Sequence, residues 1–242
     1  MKARGVFVVG TDTGVGKTLI ASALVLALKE KGVDVGVMKP LESGAVRFEG
    51  ALIPRDAYQL KEVAGVDDPL ERVNPYCFEA PVAPAEAARR ERGEIDLKRI
   101  EEAFWAMASR HEVMIVEGVG GLLVPVARGV LLPQLIGTMG LPILLVGRAG
   151  LGTINHTLLS LYYCKKEGLK VMGYLLNKTS PEVDPSEEDN PRWISSFTDV
   201  PYLGTFPYMG ELGSITEAKE FLLPFFKEKI SLSPVFEALG FS

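Results

Sequence analysis

The residues with the clearest chemical meaning are the nine of GTDTGVGKT (10–18). They follow a short apolar run, GVFVVG (5–10), and open an apolar stretch of helical character at Lys17. Strand, glycine-rich turn and helix in that order are the setting of a phosphate-binding loop. Successive backbone N–H groups of such a turn, backed by the helix N-terminus, cradle an anion. Gly14 and Gly16 let the backbone close around phosphate without a Cβ clash. Lys17 would then reach the terminal phosphates, and Thr18 would offer a hydroxyl to Mg²⁺. The spacing is unusual: Gly10 precedes Gly16 by six positions, and Thr11 stands where the first glycine normally falls. A dinucleotide fingerprint is the weaker reading, because Leu19 occupies its third glycine position.

Two further segments bear on the same site. MKPLESG (38–44) ends a second strand, which the usual order places beside the first, so Lys39 and Ser43 reach the edge that carries the loop. Two lysines facing one site require several negative charges between them, as ATP plus a second anionic group would supply. Glu117 ends the strand EVMIVEG (112–118) ahead of the glycine-rich 118–121, and an acidic residue after a buried apolar strand in a phosphate-loop protein is a metal-site candidate. Asp56, in IPRDAYQL, stands near the start of a helix, a position the helix dipole favours for any carboxylate.

The elements that must position these residues alternate. Strands are expected at 5–10, 33–40, 112–118, 141–147, 170–177 and 200–207, and helices near 17–31, 55–64, 97–109, 154–167 and 215–229. Nearly continuous apolar strands separated by helical patterns indicate an α/β fold: an open, mostly parallel sheet flanked by helices. Right-handed crossovers put the loops after the strands along one edge, where ligands bind. The 242 residues suit one domain, with no internal linker. The segment 180–191, with three prolines and five carboxylates, reads as a solvated loop.

Composition narrows the partners. Lys plus Arg is 26 against 31 Asp plus Glu, a net charge of −5, which argues against a nucleic-acid backbone as the main partner. Two cysteines provide no disulfide framework. The longest uncharged apolar stretch, 19–28, is half of the ~20 residues a membrane span needs. A soluble, cytoplasmic protein is expected. His111 and His156 fall on surface or helix positions, and without a Cys/His cluster no zinc site is expected.

Taken together, GTDTGVGKT, KPLESG (39–44), NPYCFEAPVAP (74–84), VEGVGGLLVP (116–125), GTINHTLL (152–159) and LNK (176–178) resemble the dethiobiotin synthetase family. The resemblance runs from residue 5 to about 207 and is weak over the C-terminal segment 208–242, which reads as helical. It implies a homodimeric P-loop fold and an ATP-dependent ligase. One amine of 7,8-diaminononanoate takes up CO₂ as a carbamate, the carbamate takes the γ-phosphoryl group, and the second amine closes a cyclic urea.

By that resemblance Lys17 and the backbone of Thr13, Gly14, Val15, Gly16 and Thr18 hold the phosphates. Lys39 lies between carbamate and γ-phosphate, and Ser43 bonds one of them. Thr18, Asp56 and Glu117 hold Mg²⁺. Gly118, Val119, Gly120 and Gly121 lie along the diamine. Gly152 and Asn155 bind the substrate carboxylate, from the partner subunit, and His156 is placed near the dimer interface. Asn177, which spacing alone reads as an Asn closing a strand, reads the adenine edge. Two departures stand out: Gly14 where some relatives carry an acidic residue, and Ala85 where many carry His. The alternatives are a cobyrinate-type amide-forming synthase, which needs a glutaminase unit, and a partitioning or positioning ATPase. The latter carry a signature lysine early in the turn, where this chain has Asp12. Their amphipathic tail would have to be 214–230, which Pro224 interrupts.

Overall fold

The computed structural model describes residues 3–210 and 218–241, without the side chains of 218 and 219. In chain order the elements begin β1 (Gly5–Gly10), α1 (Lys17–Glu30), β2 (Val35–Met38), β3 (Leu41–Ser43), β4 (Val46–Phe48) and β5 (Ala51–Ile53). Next come α2 (Arg55–Ala64), α3 (Leu70–Val73), β6 (Tyr76–Phe78), α4 (Pro84–Arg90) and α5 (Leu97–Ala108). The second half holds β7 (Val113–Gly121), β8 (Pro125–Ala127), β9 (Val130–Leu131), α6 (Leu132–Met139), β10 (Ile143–Arg148) and α7 (Thr153–Lys166). It continues with β11 (Val171–Asn177), α8 (Asn190–Ser195) and β12 (Tyr202–Phe206). A π-helical turn, Ala218–Leu222, leads into α9 (Leu223–Lys229), followed by α10 (Ser233–Ala238).

Six strands pair in parallel in the order β12-β11-β10-β1-β7-β2. β1 and β2 are buried along their whole length, as apolar strands without alternation must be. α1 buries Ile20 to Leu28 without interruption, so the helix is held between the sheet and its neighbours rather than lying on the surface. The result is a single α/β domain with a parallel sheet flanked by helices.

The strand order corrects one expectation. β2 is not beside β1; β7 lies between them, with Ile115 paired to Val6 on one side and Val37 on the other. A helix about 10 Å wide spans two strand spacings of about 4.8 Å, so a crossover through α1 leaves a gap that a later strand fills. Lys39 therefore reaches the phosphate loop across the strand that carries Glu117. That strand is also longer than expected. β7 continues to Gly121, with Val8 opposite Glu117 and Gly10 opposite Gly121, so Glu117 sits mid-strand beside a bulge.

The C-terminal helix expected at 215–229 is described from residue 218; 215–217 lie outside the described residues. The helix changes character beside Pro224, where the π-helical turn Ala218–Leu222 gives way to α9. Pro224 stands in the first turn of α9, and its missing N–H falls at that junction. Leu222 and Phe226 are buried, and Phe226 meets Phe206 edge-on at 5.8 Å, so the segment packs into the core. The acidic segment 180–191 is more than a solvated loop. Asp184 accepts from the Leu151 N–H at 2.7 Å, and buried Asn190 donates to the Ala149 carbonyl at 2.8 Å. Among the described residues no helix is long and apolar enough to cross a membrane.

Candidate active site

The turn 11–16 is held from below. Gly16 precedes α1 with φ +91°, and a Cβ there would fall 2.2 Å from Asn177 Nδ2. Glycine is required on both counts. Asn177 closes β11, is 2% exposed, and donates through Nδ2 to the Val15 carbonyl at 2.9 Å. Its Oδ1 is buried with no partner, so one acceptor is left over beside the loop. Val15 itself is a core side chain, present at the loop only through its backbone. Lys17 folds back over the turn and donates to the Asp12 carbonyl at 3.1 Å. Burial, and secondarily the like charge of Lys39, push Lys17 down to about 8. An anion bound beside it would raise that value again.

Lys39 follows β2 and is 4% exposed. Its ammonium donates to Glu117 Oε1 and to the Gly118 carbonyl at 3.1 Å, and it pairs with Asp56 Oδ2 at 3.1 Å. Burial alone would lower its pKa; the carboxylates of Glu117 and Asp56 outweigh that and hold it above the ordinary lysine range. Thr18 Oγ1 donates to the same Glu117 oxygen at 2.9 Å. Burial pushes the Glu117 carboxyl up, and Lys39 offsets only part of that rise. Glu117 Oε2 is buried without a partner.

These oxygens fit Mg²⁺. Thr18, Glu117 and Asp56 are hard donors close together, one of them an orphaned buried carboxylate oxygen. Among the described residues no three His, Cys, Asp or Glu side chains form a closed metal cage.

Thr13, Gly14, Gly16, Lys17, Thr18, Lys39, Ser43, Asp56, Glu117, Val119 and Gly120 line one cleft of about 600 Å³. Pro81 to Pro84 form its far wall, so the 74–84 segment shapes the pocket, and Asn74 donates to the Lys39 carbonyl at 2.6 Å. Gly118 borders the cleft through the carbonyl that accepts from Lys39. Gly121 lines a neighbouring cavity with Leu122 and His156. Gly152 and Asn155 are not in the cleft. They are exposed at the start of α7, after β10, on the other side of β1. Sequence reasoning missed Glu42, which is 5% exposed and lines the cleft; its only signal is its place one residue before Ser43. His111 is not a surface residue either. Its side chain is 9% exposed and lies between Asp34 at 3.1 Å and Asp68 at 2.7 Å, at the opposite end of the sheet.

A family model described as an AAA domain matches residues 4–216. The ATP-dependent dethiobiotin synthetase BioD of Anaeromyxobacter dehalogenans strain 2CP-C is 46% identical over 223 residues, covering 89% of this chain and 98% of that protein. The chain belongs to the dethiobiotin synthetase family. A family relative of the same name from Bacillus subtilis strain 168 is 37% identical, covering 98% of this chain and 99% of its own. Another dethiobiotin synthetase, from Thermodesulfovibrio yellowstonii, is 42% identical over 88% of this chain and 91% of its own. Solved structures share the fold alone. The MinC:MinD complex of Aquifex aeolicus matches with TM-score 0.54 at 14% identity, covering 93% of this chain and 95% of that chain. A ParA family ATPase from Chlorobium tepidum matches with TM-score 0.53 at 15% identity, covering 98% and 99%. At the position of a signature lysine this chain has Asp12, whose carboxylate pairs with Arg148 at 2.7 Å.

Proposed function

We propose that this chain forms the cyclic urea of dethiobiotin from 7,8-diaminononanoate, CO₂ and ATP, as a cytoplasmic, Mg²⁺-dependent homodimer. Family membership supports the reaction. The observation that carries the site is Lys39: a buried ammonium in the same cleft as Lys17, paired with two carboxylates, one of which also accepts from the Thr18 hydroxyl.

The chemistry asks the protein for positioning and charge neutralisation. One amine adds to CO₂ and loses a proton, giving a carbamate. A carbamate oxygen then attacks the γ-phosphorus and displaces ADP. The second amine attacks the resulting carbamoyl carbon, loses a proton and expels phosphate. Both amines belong to one molecule, so closure benefits from a high effective molarity. Thr18, Asp56 and Glu117 would hold Mg²⁺, which would supply charge neutralisation at the phosphates. Lys17 and the backbone N–H groups of Thr13 to Thr18 hold the phosphate chain. Lys39 stabilises charge as it moves between carbamate and γ-phosphate, with Ser43 bonding the same oxygens. Val119 and Gly120, with Gly118 and Gly121 beside them, run along the diamine. Asn177, through its free Oδ1, accepts from the adenine amine.

The homodimer reading is supported by α7. It leaves Leu159 and Tyr162 more than half exposed, next to Leu151 at 79%. A second copy covering that face would bring Gly152 and Asn155 to the diamine's carboxylate. The test is ADP release: it is expected only when diamine and CO₂ are both present. Hydrolysis stimulated instead by DNA or lipid vesicles, and indifferent to the diamine, would favour the positioning-ATPase reading.

A further inference from the structure

We infer that Glu42 is a positioning residue: it fixes the first turn of α2, and with it Asp56, where the site accepts a divalent cation. The inference rests on the reading of Asp56 and Glu117 as the cation's carboxylates.

α2 has no cap of its own. Pro54 precedes it and offers no side-chain acceptor to the free N–H groups of the first turn. Glu42 supplies both acceptors from another element. Its Oε1 accepts from the Asp56 N–H and its Oε2 from the Ala57 N–H, each at 3.0 Å. A local Ser or Asp would cap the helix without burying a charge. Here a carboxylate 5% exposed does it from β3. Burial is tolerated because both oxygens are paired with N–H donors.

The consequence is geometric. β3 also carries Ser43, and the strand follows Lys39 by one residue, so its place is tied to the reacting end of the cleft. The β4–β5 hairpin runs from there to α2, with its tip residue Phe48 65% exposed. A hairpin alone leaves the helix start free to shift. Glu42 bridges its two ends, so the Asp56 carboxylate keeps its 3.1 Å distance to Lys39. Residues that orient metal ligands in this way change metal affinity by about 10–100-fold when removed.

The probe is Mn²⁺ binding to the full chain with ADP, followed by water relaxation, for wild type, Asp56→Asn, Glu42→Gln and Glu42→Ala. Glu42→Ala is expected to weaken Mn²⁺ about tenfold or more, with KM for the diamine within about twofold. Glu42→Gln keeps one acceptor and should fall between, which preserves the test if the alanine variant fails to fold. Amide exchange at Asp56 and Ala57 should quicken in both. Unchanged Mn²⁺ affinity in Asp56→Asn would overturn the metal reading beneath the inference. A loss in Asp56→Asn with wild-type affinity in both Glu42 variants would overturn the inference alone. So would an equal loss of Mn²⁺, ADP and diamine affinity, which marks a merely structural role.

Discussion

Replacing Lys39 with alanine is expected to lower kcat about 10²–10³-fold, while MgATP affinity moves by no more than about threefold. The ammonium is buried and already paired with Glu117 and Asp56, so it adds little to ground-state nucleotide binding. Its gain comes when negative charge moves from carbamate towards the γ-phosphoryl group, which only the transition state develops. The substitution also leaves Glu117 buried without its cation, at a cost of up to about 3–5 kcal/mol of stability. Thermal unfolding of the same preparation separates the two effects. A folded variant with wild-type kcat would remove Lys39 from the mechanism.

Lys17→Ala is expected to act on binding and catalysis together. A charge-assisted bond to phosphate contributes roughly 1.5–3 kcal/mol, so calorimetry should show MgATP affinity falling about 10–100-fold, with kcat/KM falling further. pH gives an independent check. Burial and Lys39 hold Lys17 at about 8 in the free protein, cationic below that pH and neutral above it. Phosphate favours the cation, so the bound form keeps its proton to higher pH. Binding therefore takes up a proton above pH 8, and MgATP affinity declines as pH rises through that value. Calorimetry in two buffers of different ionisation enthalpy reads the uptake directly. Lys17→Met should abolish it, and normal MgATP binding by either variant would contradict the role.

Much of this was legible in the sequence because it is local. The run 5–10, the glycine turn and the helix from Lys17 carry their own signals, and α2 falls on 55–64 as its pattern predicts. Lys39, Thr18 and Glu117 were legible as separate candidates; that the first two meet at Glu117 follows from β7 lying between β1 and β2. Strand order was not, because nothing in β2 records that β7 will enter between it and β1. Glu42 was missed for a related reason. Its partners are 14 and 15 residues away, across a hairpin, and no helical or strand period links them. His111 joins Asp34 and Asp68 across 77 and 43 residues, a contact made only by packing. Among the described residues the three-residue strands β3 and β6 pair only with each other, and runs so short give no periodicity to read.

The cleft is expected to couple CO₂ to the diamine with hydrolysis of ATP to ADP and phosphate. Incubation with ¹⁴C-bicarbonate tests it most directly, by counting label in acid-stable product. Label should be fixed only when MgATP and 7,8-diaminononanoate are both present, with one ADP formed for each carbon retained. Failure to fix label in the complete mixture, or fixation that does not need the diamine, would contradict the account.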